Sequence, residues 1–299
     1  MSGARCLIPA AGLGTRMRPA SRTIPKELLP IGTRPMIQWC VTEALEAGFE
    51  RVGVVVRDDK PLLAAYLREG RWREGILEEV RERAEALEID RFVQERPLGV
   101  VDAVLSAGAW VDDGGAFAVF LPDNVRISGS PPLTAEQMAD AAEREVALAA
   151  CHRVGTESAR YFGNVGRVEL ADLVPAGRLP RVTALQQRGR GAFRAPPEGA
   201  WRLMPRYVVT GRWVEIARRV AAEASLAGEE ADDVAVHRRL VEEERLVAAP
   251  WEGTLVDAGN PSGYLYAHHL LHQAEARRRD AEERDGEGGG GELLEIGLS

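Results

Sequence analysis

The sequence predicts an α/β fold, a doubly wound mixed sheet followed by a β-rich second region. Three observations predict it. Short apolar or β-branched runs alternate with helix-period segments through residues 1–152. A glycine-rich loop follows the first of these runs, and after Tyr161 short strands separated by Gly/Pro turns take over.

Arg5 to Pro9 reads as a short buried strand that opens into a loop at Ala10. Arg34 to Gly48 carries Met36, Ile37, Cys40, Val41 and Leu45 at helical spacing, and Gly48 stops it where glycine is favoured. Arg51 to Val56 is β-branched, so the first unit is strand, loop, helix, strand, with a right-handed crossover between parallel strands. Helices are expected over Pro61 to Arg68 and Glu74 to Leu87, a strand over Arg91 to Gln94, and a helix over Val100 to Trp110. Strands follow over Ala116 to Leu121 and Glu145 to His152.

Beyond Tyr161, segments 165–170, 180–186 and 202–209 read as strands, 212–224 and 230–243 as helices, and 245–257 as a strand pair. Pro261 to Arg279 reads as a helix with proline in its first turn, where proline is tolerated. Residues 280–299 are charged and contain Gly288 to Gly291 in a row, which predicts a disordered tail. The expected organisation is one domain over 1–279, in halves of 1–152 and 153–279, with no internal repeat.

With 299 residues, 45% of them hydrophobic, the chain can bury a sizeable core. Its formal charge of −8 argues against nucleic acid as a partner, because phosphate neutralisation needs a basic surface. An acidic protein that handles anions must gather its cations at one site. Cys6, Cys40 and Cys151 lie far apart without metal spacing and read as reduced thiols. No segment is apolar enough for a membrane span, and the run after Met1 is too short for a signal peptide, so a cytoplasmic location is expected.

The segment from Ile8 to Pro30 carries the chemistry. Ala10, Ala11, Gly12, Gly14 and Thr15 form a small-residue loop whose backbone N–H groups can approach an anion. Arg16 offers a planar fork to phosphate, and Lys26 a compact charge held in register by Pro25 and Pro30. No Gly-Lys-Ser/Thr follows the glycines, which excludes a Walker loop. Gly12 and Gly14 fit a dinucleotide fingerprint, but its third small position holds Met17. At the end of a predicted buried strand, where α/β sheets bind ligands, stands Asp123.

This segment closely resembles the signature G-x-G-T-R-x-x-P…P-K-x-L-x-P of the sugar-phosphate nucleotidylyltransferases. Within them it looks most like the bacterial UTP–glucose-1-phosphate uridylyltransferases, over about residues 5–272. The resemblance implies a Rossmann-like fold of the nucleotide-diphospho-sugar transferase type. Its first half would bind the nucleotide and its second the sugar phosphate. It also implies that the glycine-rich loop wraps a triphosphate, with Arg16 and Lys26 on its phosphates and both catalytic together with Asp123.

Gln94 and Gly99 resemble the family's nucleobase loop, where a glutamine amide pairs with uracil or thymine; UTP is the expected donor, with dTTP open. Asp123 and Asp257, the latter in Asp257-Ala-Gly-Asn-Pro261, resemble the family's two Mg²⁺ ligands, though turn and cap roles would equally suit Asp257 and Asn260. Gly163, in Tyr161-Phe-Gly-Asn164, resembles the sugar-site turn.

Two departures stand out. The family's Glu-Lys-Pro, whose glutamate holds sugar hydroxyls and whose lysine meets the sugar phosphate, is here Gln186-Gln187-Arg188, which weakens anchoring by about 1–2 kcal/mol unless Arg188 reaches instead. Where the uridylyltransferases resemble G-D-E-I-Q-L-T-D, this chain has Gly228-Glu-Glu-Ala-Asp-Asp-Val-Ala235.

The expected activity is transfer of a nucleotidyl group to a sugar 1-phosphate, glucose 1-phosphate first, with release of pyrophosphate. A different sugar- or cyclitol-phosphate acceptor, or a catalytically weakened nucleotide-binding relative, is the alternative. Whether the chain forms a homo-oligomer stays open.

Overall fold

The computed structural model describes residues 3–162, 166–171, 178–186 and 193–287, with side chains to residue 276. Its first half contains β1 (Arg5–Pro9), β2 (Pro30–Ile31), β3 (Arg34–Pro35), α1 (Met36–Glu46), β4 (Arg51–Val56), α2 (Pro61–Arg68), α3 (Arg81–Ala86) and β5 (Ile89–Val93). Next come α4 (Val100–Leu105), α5 (Ala109–Asp112), β6 (Phe117–Phe120), β7 (Asn124–Ser128), α6 (Ala135–Glu143) and β8 (Ala147–Val154). The remainder is α7 (Thr156–Ala159), β9 (Arg167–Leu170), β10 (Val182–Leu185), β11 (Ala200–Val209), α8 (Gly211–Ala227), α9 (Asp233–Glu242), β12 (Leu246–Trp251), β13 (Thr254–Asp257) and α10 (Pro261–Glu287).

The main sheet runs β10-β9-β11-β6-β1-β4-β5, with β8 on β11 and β12 on β8. β1 is parallel to β4 and β6, whereas β11 is antiparallel to β6, β8 and β9. The mixed, doubly wound sheet is the one expected. Along β1, Cys6 and Ile8 face one apolar layer and Leu7 the other; Val54 and Val55 divide the same way in β4. Helix α1 contributes Ile37, Cys40, Val41, Ala44 and Leu45 to the first layer. The second is closed by Val101 and Val104 of α4, Trp213 and Ile216 of α8, and Leu240 of α9. Strands buried on both faces read as continuous apolar runs, which is why β4 and β6 are almost purely hydrophobic.

Several boundaries differ from expectation. The predicted helix 74–87 is real only at Arg81–Ala86, preceded by single 3₁₀ turns at Arg71–Arg73 and Glu78–Val80, because Trp72, Ile76 and Val80 are drawn inward at uneven spacing. The predicted helix 100–110 breaks into α4 and α5 at Gly108. β12 and β13 are not partners: β12 lies parallel to β8, while β13 pairs antiparallel with β7 in a separate ribbon. Helix α10 continues past Arg279 to Glu287, through eight residues that the tail was expected to hold, since Ala-Glu-Glu-Arg-Asp contains good helix formers and the glycine run starts only afterwards. Among the described residues no helix is long and apolar enough to cross a membrane.

Candidate active site

The carboxyl ends of β1, β4, β5 and β6 deliver the glycine-rich loop, Lys60, Gln94 and Asp123 to one edge of the sheet, as open α/β sheets place their ligands. Immediately after β1, the N–H of Ala10 donates to Val55 O at 2.8 Å, so the start of the loop is still tied to β4. Gly14 then turns with φ +63°, and a 3₁₀ turn at Thr15–Met17 presents Arg16. The Arg16 Nη1 lies 3.7 Å from Asp257 Oδ2.

Lys26 sits opposite. Its ammonium donates to Asp123 Oδ2 at 2.6 Å, with both side chains largely buried. Burial alone would raise the Asp123 carboxyl, but Lys26, Arg16 and a bond from the Asn124 amide together hold it well below the usual carboxylate range. Burial would likewise lower the Lys26 ammonium; the charge of Asp123 more than offsets this and raises it. The two aspartates meet because Asp257 is paired with Asn124, the neighbour of Asp123, in the β13–β7 ribbon, and the N–H of Ala258 donates to Asp123 O at 2.7 Å.

Two cavities open on this pair. One, of about 170 Å³, is lined by Pro9, Ala11, Gly12, Leu13, Gln94, Gly99 and Val100. The other, of about 500 Å³, is lined by Arg16, Asp257, Arg202 to Pro205 and Glu230 to Val234. Lys26 and Asp123 line both. A charge pair at the junction of two pockets is where two ligands would come into contact.

Of the sequence candidates, Arg16, Lys26, Asp123, Asp257, Ala11, Gly12, Gln94 and Gly99 are thus gathered around these cavities. Ala10 is buried behind the loop, while Gly14 and Thr15 shape its turn and line neither cavity. Gln186 is exposed at the end of β10 and lines neither. Gly163, Gln187 and Arg188 lie outside the described residues. The Gln94 amide nitrogen donates to Asp102 Oδ2 at 2.7 Å and to Gly99 O at 3.1 Å, so the amide orientation is fixed by its nitrogen. Gly99 has φ +102°, and a Cβ there would run into the Ala231 carbonyl, so glycine is required where the 228–233 segment crosses.

Sequence reasoning missed four charged residues that hold this arrangement. Lys60 and Glu27 lie under the loop. Arg206, fully buried, donates to both oxygens of Glu43 and to the carbonyls of Leu121 and Asn124, gripping the segment that bears Asp123. The available signal was charge inside apolar runs: Arg206 within β11 and Glu43 within α1.

Among the described residues no group of three or more His, Cys, Asp or Glu side chains forms a metal cage. The site offers two carboxylates, Asp123 and Asp257, and the buried Oδ1 of Asn124, which has no hydrogen-bond partner. Oxygen donors on one side only fit a hard divalent cation that completes its shell with phosphate and water.

Residues 5–181 match the family model described as nucleotidyl transferase. The UTP–glucose-1-phosphate uridylyltransferase of Bacillus subtilis strain 168 is 29% identical over 276 residues, 87% of this chain and 88% of its own. A solved UDP-glucose pyrophosphorylase complexed with UDP-glucose is similar at TM-score 0.69 and 27% identity, over 91% of this chain and 99% of the other. The UTP-bound UGPase from Acinetobacter baumannii is similar at TM-score 0.68 and 25% identity, over 90% and 93% of the two chains.

Proposed function

This chain belongs to the nucleotidyl transferase family, and from that premise we propose that it transfers the uridylyl group of UTP to glucose 1-phosphate and releases pyrophosphate. The enzyme is a nucleotidyltransferase. The observation that carries the reading is the pair Lys26–Asp123 at the junction of two cavities, one walled by the glycine-rich loop and Gln94, the other by β11 and the 228–234 segment.

The smaller cavity takes the nucleotide. The Gln94 oxygen accepts from N3–H of the uracil, and the loop N–H groups face the phosphates. Arg16 and Lys26 bind the polyphosphate and stabilise the charge that develops on the departing pyrophosphate. An acceptor phosphate in the larger cavity attacks the α-phosphorus in line. Being an anion already, it needs no strong base, so the residues act by positioning and by charge stabilisation. Asp123 and Asp257 would hold Mg²⁺, which when bound supplies Lewis-acid polarisation of phosphate oxygens. Arg206 and Glu43 keep the Asp123 segment in place. A cytoplasmic location accords with three free, buried cysteines.

The test is a matrix of nucleoside triphosphates against sugar and cyclitol phosphates, read by pyrophosphate release. Fastest release with UTP and glucose 1-phosphate is expected. Nucleotide binding without release in any combination would overturn the enzyme reading. A favoured acceptor other than glucose 1-phosphate would relocate the specificity, a reading supported by the carboxylates Glu230, Asp232 and Asp233 along the acceptor cavity.

A further inference from the structure

We infer that Arg202 is the residue that receives the acceptor's phosphate in this chain. The inference rests on the transferase reading and assigns a residue to its acceptor side.

An acceptor brings a phosphate dianion to the Mg²⁺ that Asp123 and Asp257 would hold, and its remaining oxygens call for a donor on the protein wall of the cavity. Among the described residues, the two cations at the catalytic pair, Lys26 beside Asp123 and Arg16 at 3.7 Å from Asp257, are the ones assigned above to the donor's polyphosphate. His237, also on the cavity wall, is held neutral because burial pulls it down to about 4. The sequence supplies neutral side chains at Gln186 and Gln187; Gln186 is exposed and lines neither cavity, while Gln187 and Arg188 lie outside the described residues.

Arg202 stands on β11 within the acceptor cavity wall, only 3% exposed. Its Nε and Nη1 have no hydrogen-bond partner, and among the described residues its guanidinium forms no ion pair; the ring of Phe162 lies 4.8 Å from it. A buried guanidinium with two of its nitrogens unpartnered is costly and is retained where something supplies acceptors. Arg202, Asp123 and Asp257 line the same cavity, and the charges of Asp257 and Asp123 oppose the lowering of the guanidinium by burial. Phosphate is the chemistry that suits it: the planar fork offers two parallel N–H groups to two phosphate oxygens. The ladder of β11 passes from β9 to β6 between Arg202 and Arg206, so one strand carries the acceptor contact at one end and the anchor of the Asp123 segment at the other.

The test uses Arg202→Gln and Arg202→Lys in the full chain. Glucose 1-phosphate is titrated calorimetrically into protein saturated with magnesium and α,β-methylene-UTP, a donor that cannot react. Arg202→Gln is expected to weaken acceptor binding roughly 10- to 100-fold, from loss of a charge-assisted bond. UTP affinity is expected to hold within about twofold, with Arg202→Lys intermediate because it keeps the charge and loses the fork. Should the Gln variant fail to fold, the Lys variant decides by the same comparison of acceptor with UTP. Unchanged acceptor binding, or acceptor and UTP weakening together, overturns the assignment, as does a wild-type chain that binds no acceptor. Wild-type protein that binds acceptor in an Arg202-dependent way without releasing pyrophosphate from UTP supports the assignment and sinks only the transferase reading.

Discussion

The Lys60 ammonium lies 2.9 and 3.0 Å from the two carboxylate oxygens of Glu27 and 2.8 and 2.7 Å from the carbonyls of Ala10 and Gly12. It therefore ties the glycine-rich loop to a residue adjacent to Lys26. With its carbonyls held inward, the loop has its N–H groups available for an anion. Burial lowers the Lys60 ammonium, and the charge of Glu27 works against that shift.

Lys60→Met should for this reason damage both stability and nucleotide binding. Removing one member of a buried pair leaves Glu27, which is 1% exposed, as an uncompensated charge, at a cost of about 3–5 kcal/mol. Lys60→Met with Glu27→Gln should recover most of that stability. UTP affinity should stay reduced in the double variant, because the carbonyl ties are still missing. Chemical denaturation and UTP calorimetry on wild type and the two variants separate the effects; full recovery of affinity would show that the ties are irrelevant.

The pair Lys26–Asp123 gives a prediction about magnesium. Asp123→Asn keeps an oxygen to accept from Lys26 but removes the charge, so the fold should survive. The magnesium concentration for half-maximal activity should rise roughly tenfold or more. Arg16→Ala should instead lower kcat more than it raises KM for the acceptor, as the proposed role on the leaving group requires. Identical magnesium curves for wild type and Asp123→Asn would remove Asp123 from the metal site.

Gly99→Ala tests the crossing of the 228–233 segment over the nucleotide wall. The substitution is strained twice, by φ +102° and by the Ala231 carbonyl against the new Cβ. A cost of about 1–3 kcal/mol is expected from the backbone alone. Because the N–H of Val101 donates to Ala231 O and that of Ala231 to Leu98 O, the two segments must shift together. Both UTP and acceptor binding should weaken, in contrast to the acceptor-selective effect at Arg202. Thermal melts and paired titrations report it.

The sheet and the glycine-rich loop were legible because their physics is local. A β-branched run such as Arg51–Val56 and the spacing of α1 each carry their signal within about a dozen residues. The break at Gly108 was missed because the helical period runs on across it. The partners of β12 and β13 were out of reach for a different reason: pairing β13 with β7 joins Asp257 to Asn124 across 133 residues, and adjacency in sequence pointed to the wrong neighbour. The charged supports behaved similarly. Lys60 looks like an ordinary cation in the sequence, and even Arg206, a charge inside an apolar run, gains its role only from burial against Glu43, as Lys60 does against Glu27.

His237 supplies a prediction about acid. It lies buried on α9, accepting at Nε2 from the Trp213 indole N–H at 3.4 Å, with Tyr207 edge-on at 4.7 Å. Burial pulls its imidazole from the ordinary 6.5 down to about 4, with Asp232 opposing the shift. The folded state thus holds it neutral where an unfolded chain would protonate it, so between pH 6.5 and 4 unfolding takes up a proton and stability falls as pH falls. Above pH 6.5 both states are neutral and the effect vanishes. A shift of this size corresponds to a loss of about 3 kcal/mol by pH 4. His152, pulled down to about 3 by burial and by Arg202, adds to the same slope. His237→Gln keeps an acceptor for Trp213 and cannot titrate. Urea unfolding at a series of pH values should therefore show a shallower acid slope for His237→Gln than for wild type, and equal slopes would mean that His237 is not held neutral in the fold.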